Sequence, residues 1–167
     1  TRNGFTFTLT RPVLDADMVI SLPKVKTHVL TLLTGAVKNL YGCIPGLQKT
    51  ALHKAYPHPA DFHALLAALY EVVRPGLAIA DGIVGMEGDG PTAGSPRVLG
   101  FLAASPDAAA LDATVARYLG LDLDAIAHLG AIQARGMGET RIESIRVVHT
   151  ASLPPLHPPL RPPQAVP

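Results

Sequence analysis

Residues 74–120 read RPGLAIADGIVGMEGDGPTAGSPRVLGFLAASPDAAALDATVARYLG, and the order of signals in them decides the fold class. Pro75-Gly76 is a break, and Leu77 to Ala80 is a short apolar run of the kind that forms a buried strand, ending at Asp81. The glycine-rich stretch from Asp81 to Pro96 reads as a loop and Val98 to Ala104 as a second strand. Ser105-Pro106 is a helix start, an N-cap hydroxyl followed by proline in the first turn, and the helix runs to Gly120. Strand, loop, strand and helix in close succession predict α/β layering.

The flanks repeat the alternation. Phe5, Phe7 and Leu9 alternate as in a half-buried strand, and Met18 to Leu22 reads as a short apolar strand. Leu30, Leu33, Val37 and Leu40 fall at helical spacing, so Val29 to Tyr41 is expected to be a helix stopped by Gly42. Residues 43–59 read as an irregular loop. Asp61 is placed to cap a helix from Phe62 to Val73, a further helix covers Asp124 to Ala134, and Ile142 to Val148 reads as a last strand. The expected architecture is a mixed or mostly parallel sheet with helices packed on it, in a single layered domain over residues 1–149. Seven of the sixteen prolines fall between Pro154 and Pro167, so residues 150–167 are expected to be a solvated, disordered tail.

Composition narrows the function classes. In 167 residues, 48% are apolar and the mean hydropathy is +0.28, enough for a core, and no uninterrupted apolar run approaches a membrane span. One cysteine, Cys43, excludes an intrachain disulfide and any iron-sulfur cluster held by this chain's cysteines alone. The chain begins Thr-Arg-Asn with neither methionine nor a leader pattern, so Thr1 reads as a processing point at which a targeting segment could have been lost, and a cytoplasmic location is the expectation only by default. The net charge of +1 conceals segregation: all five lysines lie between Asp17 and Asp61, where there is no carboxylate. Such an interval suits an anion. It suits nucleic acid poorly, because it contains no arginine and only Tyr41 and Tyr56 as aromatics.

Three constellations could carry chemistry. In LPKVKTH, Leu22 to His28, an extended backbone would set Lys24, Lys26 and His28 in one row, able to hold a carboxylate or phosphate. In TGAVKNLYGCIPG, Thr34 to Gly46, Lys38 and Asn39 occupy an expected last helical turn, and Lys49 and His53 follow four apart, on one face if helical. Cys43 is here a small apolar filler or a thiol activated by nearby cations. In DGIVGMEGDGP, Asp81 to Pro91, Gly88 and Gly90 could offer amides to a phosphate, while Asp81, Glu87 and Asp89 could hold a divalent cation. Asp112 sits among apolar neighbours and must be paired, capped or titrated upward. His63, His128 and His149 read as packing or surface histidines.

Together with ASPDAAALDA, these motifs occur in the order and spacing of the family called domain of unknown function 362, which the chain resembles from about Asp15 to Val148. The resemblance implies an association with ferredoxin-like domains that bind four-iron four-sulfur clusters, and it makes this chain look like the later part of such a domain. The ferredoxin cysteine motif is absent from it. The functional expectation is a redox-type enzyme domain. In it Lys24, Lys26, Lys38, Asn39, Lys49, His53, Gly88 and Gly90 bind a small anion, and Asp112, Glu87 and His28 act in catalysis. Asp81, Glu87 and Cys43 are the expected metal ligands. A non-catalytic anion-binding or accessory module for a partner iron-sulfur protein is the alternative, and a homodimer would cover an exposed sheet edge.

Overall fold

A computed structural model describes residues 1–148 and 156–164; His149 and the tail positions 150–155 and 165–167 lie outside the described residues. The described residues form one α/β domain, a mixed five-stranded sheet with six helices around it. Two strand segments, β1 (Ile20–Ser21) and β2 (Lys24–His28), run parallel to the long β4 (Leu77–Glu87). Their registers are continuous: Ile20 pairs with Leu77, Ser21 with Ala78 and Lys24 with Asp81. They are therefore one strand interrupted at Pro23, which lacks an amide donor but whose carbonyl still accepts from Asp81 N at 2.9 Å. β3 (Leu32–Thr34) turns back antiparallel on β2, and β5 (Ser95–Ser105) runs antiparallel to β4.

The helices gather on one side. α2 (Ala36–Asn39) and α5 (Ala108–Leu119) lie against β4, and α5 against β5 as well; α4 (Pro59–Val73) and α6 (Ala127–Ala134) pack on each other in a further layer. The core between them holds Val25, Phe62, Leu65, Leu66, Leu111 and Leu129. On β5, buried Leu99 and Phe101 alternate with Val98 and Leu102, which are 72% and 64% exposed, so the other face of this strand is open to solvent. No helix among the described residues is long and apolar enough to cross a membrane.

Several boundaries differ from the sequence reading. The glycine loop is shorter than expected, because Asp81 to Glu87 continues β4. A β-carbon on Gly82 would strike the Phe101 ring, so this glycine marks a ring lying across a strand rather than a turn. The expected helix 29–41 is instead a tight turn, β3, α2 and a 3-10 turn at Leu40–Cys43. Leu33, Val37 and Leu40 are all buried, so the helical spacing was a coincidence of burial across different elements.

Residues 46–55 form a helix, α3 (Gly46–Ala55), where a loop was expected; it buries only Leu52, which is why no apolar stripe announced it. Residues 5–9 keep alternating burial without joining the sheet, since Thr8 N donates to Gln48 Oε1 and Thr10 N to Cys43 O. α4 begins at Pro59, with Asp61 in its first turn rather than at its cap, and Asp107 rather than Ser105 caps α5. The last helix starts at Ala127, not Asp124, and Ile142 to Val148 makes a 3-10 turn with no strand.

Residues 156–164 are docked on the domain, contrary to the solvated tail expected there. Leu160 is buried, Leu160 N donates to Leu119 O, and Gln164 N donates to Asp89 Oδ1. Proline removes donors but leaves apolar surface, and here that surface finds the end of α5.

Candidate functional site

β2 and β3 begin the site. Lys26 and His28 are two apart on β2, and Lys26 faces Thr34 across the ladder while His28 faces Leu32, so all four share one face. His28 is buried, and its Nδ1 accepts the amide of Leu30 at 3.1 Å, closing the turn into β3. The proton of the neutral ring therefore sits on Nε2, which is left as a donor. Leu32 takes a left-handed φ of 61° in this turn.

The chain then passes through Thr34 and Gly35 into α2, whose opening is fixed from α5. Asp112 Oδ1 accepts the amide of Ala36 at 2.6 Å and Oδ2 that of Val37 at 2.9 Å. A β-carbon on Gly35 would collide with this carboxylate, so only glycine lets the two elements meet. Burial pushes the Asp112 carboxyl up to about 7 despite the two amide bonds. Asp112 thus positions the turn that carries Lys38.

Lys38 leaves α2 over an aromatic floor. Its Nζ stands 4.9 Å from the centroid of the Tyr41 ring and 5.7 Å from that of Phe62. His53, on α3, stacks on Phe62 at 4.5 Å and meets Tyr41 edge-on at 5.3 Å. Tyr41 is held in turn by donating its hydroxyl to Lys49 O at 2.8 Å. Lys49 and His53 do share a face of α3, one helical turn apart.

The electrostatics are one-sided. Burial lowers His28 to about 4, and the charges that add to the effect are Lys38, His53, Lys26 and His63. Burial, then Lys26 and Lys49, lower Lys38 to about 8; burial and Lys38 lower His53. No carboxylate figures among the charges acting on these three groups. Behind them, His63 and His128 stack with Nδ1 to Nδ1 at 2.9 Å, and His63 Nδ1 also accepts the amide of His128. Burial holds both neutral, His128 most strongly, at about 3. Sequence reasoning missed this pair, whose members stand far apart in the chain and meet only where α4 packs on α6.

The other expected site residues are engaged elsewhere. Lys24 forms an ion pair with Asp81, which holds that carboxyl below its usual range. Glu87 faces Arg97 at 3.5 Å and Arg161 at 3.8 Å and accepts the amide of Arg161. Asn39 Nδ2 donates to Ser21 Oγ at 3.2 Å, tying α2 to β1. The amides of Gly88 and Gly90 donate to Arg161 O and Gly88 O, so they form no phosphate nest. Burial raises the Cys43 thiol, contrary to activation by its cationic neighbours. Asp81, Glu87 and Cys43 do not converge: among the described residues, no group of three or more His, Cys, Asp or Glu side chains could hold a metal ion.

Comparison with known proteins adds the family. The family model described as Domain of unknown function (DUF362) matches residues 3–117. A thylakoid-associated protein of Synechocystis is 41% identical over 136 residues, which cover 81% of this chain and 42% of that protein. The chain thus spans about two fifths of that relative's length. No solved structure matches.

Proposed function

The chain belongs to the family called domain of unknown function 362, and on that premise we propose that it binds a small anion, a carboxylate or phosphate compound, in the cluster of Lys26, His28, Lys38, Lys49 and His53. The observation that carries this reading is the gathering of cationic and imidazole groups on an aromatic floor, with no carboxylate to balance those at its centre. Uncompensated like charges in a partly desolvated site oppose one another, and a bound anion relieves each of them at once. Lys24, Asn39, Gly88 and Gly90 leave the proposed ligand set, because each is already paired.

The engagement of Asp112 and Glu87 elsewhere favours an anion-binding domain over an enzyme that uses those carboxylates as acid and base. The redox association of the family then belongs to another domain or a partner, for a cluster needs more thiolates than Cys43. Calorimetric titration of the whole chain with sulfate and with inorganic phosphate at low salt tests the reading. We expect saturable binding that Lys38→Met weakens by about 10 to 100-fold, the range of one charge-assisted hydrogen bond. Absence of binding, or equal binding by the variant, would reject the assignment.

A further inference from the structure

Lys38 is the one lysine among the described residues that stands over aromatic rings, and like Lys49 it has no ion pair. Lys24 has Asp81, and Lys26 Nζ has the carbonyl of Pro91 at 3.4 Å. Lys38 Nζ has only the faces of Tyr41 and Phe62, with neither a carboxylate nor a hydrogen-bond acceptor among the described residues. The hydroxyl Oγ1 of Thr34, 9% exposed and directly across the ladder from Lys26, is also without a hydrogen-bond partner among the described residues. A buried hydroxyl of that kind points to a polar group that the protein itself does not supply.

We propose that Lys38 is a covalent attachment point for an anionic carbonyl compound, whose carbonyl carbon condenses with Nζ while Lys26, Lys49 and Thr34 hold its charged and polar groups. The proposal rests on the anion-binding reading above and names the chemistry of the ligand.

The step balances without a further reactant. Lys38 first loses its ammonium proton to solvent, the Nζ lone pair attacks the carbonyl carbon, and one of the two remaining nitrogen protons passes to the carbonyl oxygen, giving a neutral carbinolamine. The second nitrogen proton and the hydroxyl then depart as water, leaving a C=N bond and no change of oxidation state. Neutral His28 donates from Nε2, which suits it to polarise the carbonyl oxygen as the attack proceeds. Burial and the neighbouring charges of Lys26 and Lys49 lower the proton affinity of Lys38, so that about a tenth of it is free amine at pH 7. An ordinary lysine is almost fully protonated there.

The test is reductive trapping on the full chain at pH 7.5. Glyoxylate and cyanoborohydride are added, and peptide mass spectrometry compares the five lysines. We expect Lys38 to be modified about 100-fold faster than Lys24, Lys26, Lys49 or Lys54, somewhat less than the roughly 200-fold gain in free amine over an ordinary lysine at that pH, because a less basic amine is also a weaker nucleophile. Excess sulfate should suppress the reaction, and propionaldehyde, which carries no charge, should show a smaller preference. Uniform modification, or preference for another lysine, would overturn the proposal. If sulfate binds by calorimetry and labelling is uniform, the anion site stands and the covalent step falls. Preference for Lys38 that is equal for both aldehydes and indifferent to sulfate would instead reject the anionic ligand.

Discussion

Asp112 and Gly35 meet where α5 passes the start of α2, and the aspartate carboxylate occupies the space that a side chain at position 35 would need. This contact holds the turn from which Lys38 projects, so the cluster of lysines and histidines depends on a buried group that is not part of it. Gly35→Ala is expected to cost about 1–3 kcal/mol of stability, the usual range for overpacking a filled core. Asp112→Asn keeps the volume but turns an acceptor into a donor beside an amide, with a similar cost from lost hydrogen bonding. Urea denaturation measures both.

The same carboxyl carries a pH signature. Its folded pKa of about 7 lies above the ordinary value of 3.8, so the folded state retains a proton that the unfolded chain releases. Its contribution is fully present below about pH 4 and is lost as pH rises through about 7. Asp112→Asn should remove this component from a plot of stability against pH; an unchanged profile would show that Asp112 ionises as it does in the unfolded chain.

Sulfate stays a dianion from pH 6 to 10, so its binding reports the protein's protons alone. Lys38 loses its charge above about pH 8. Affinity is therefore expected to fall with rising pH beyond that value, by up to about tenfold per unit for one required proton. Lys38→Met should abolish the dependence. A flat profile in the native chain would place the bound anion elsewhere.

The stacked pair of His63 and His128 acts in the opposite direction. Both folded pKa values lie below the ordinary 6.5, His128 at about 3, so unfolding takes up protons in acid. The pair's stability is present above about pH 6.5 and is lost as pH falls toward 3. His128→Leu leaves the backbone amide at position 128 still donating to His63 Nδ1, and it should shallow the loss of stability between pH 7 and 4. An equal slope in the variant would assign acid unfolding to other groups.

Leu160 anchors residues 156–164 at the end of α5 and is 2% exposed. Leu160→Ala should cost about 2–5 kcal/mol, as for other buried leucines. A loss below 0.5 kcal/mol would show that this segment adds nothing to the stability of the domain.

The sequence by itself determined the α/β class, the strand positions near residues 20, 78 and 100, the α4 and α5 helices, and the segregation of the lysines into one carboxylate-free interval. These signals are local: apolar runs, helical stripes, caps and a charge count act through near neighbours and survive in the linear order. It misread the elements whose pattern is set from a distance. Gly82 read as loop because the Phe101 ring above it belongs to another strand, and Leu30 to Leu40 read as helix because burial alone imitated a helical period.

Only the tertiary structure decided which charges are partners. Lys24 and Asp81 are register neighbours on adjacent strands, Glu87 lies beside two arginines, and Asp112 faces two amides of α2. Each assignment depends on distances of a few ångströms between residues far apart in the chain. Lys38 is set apart for the same reason: packing brought it two aromatic faces and further cations but no carboxylate.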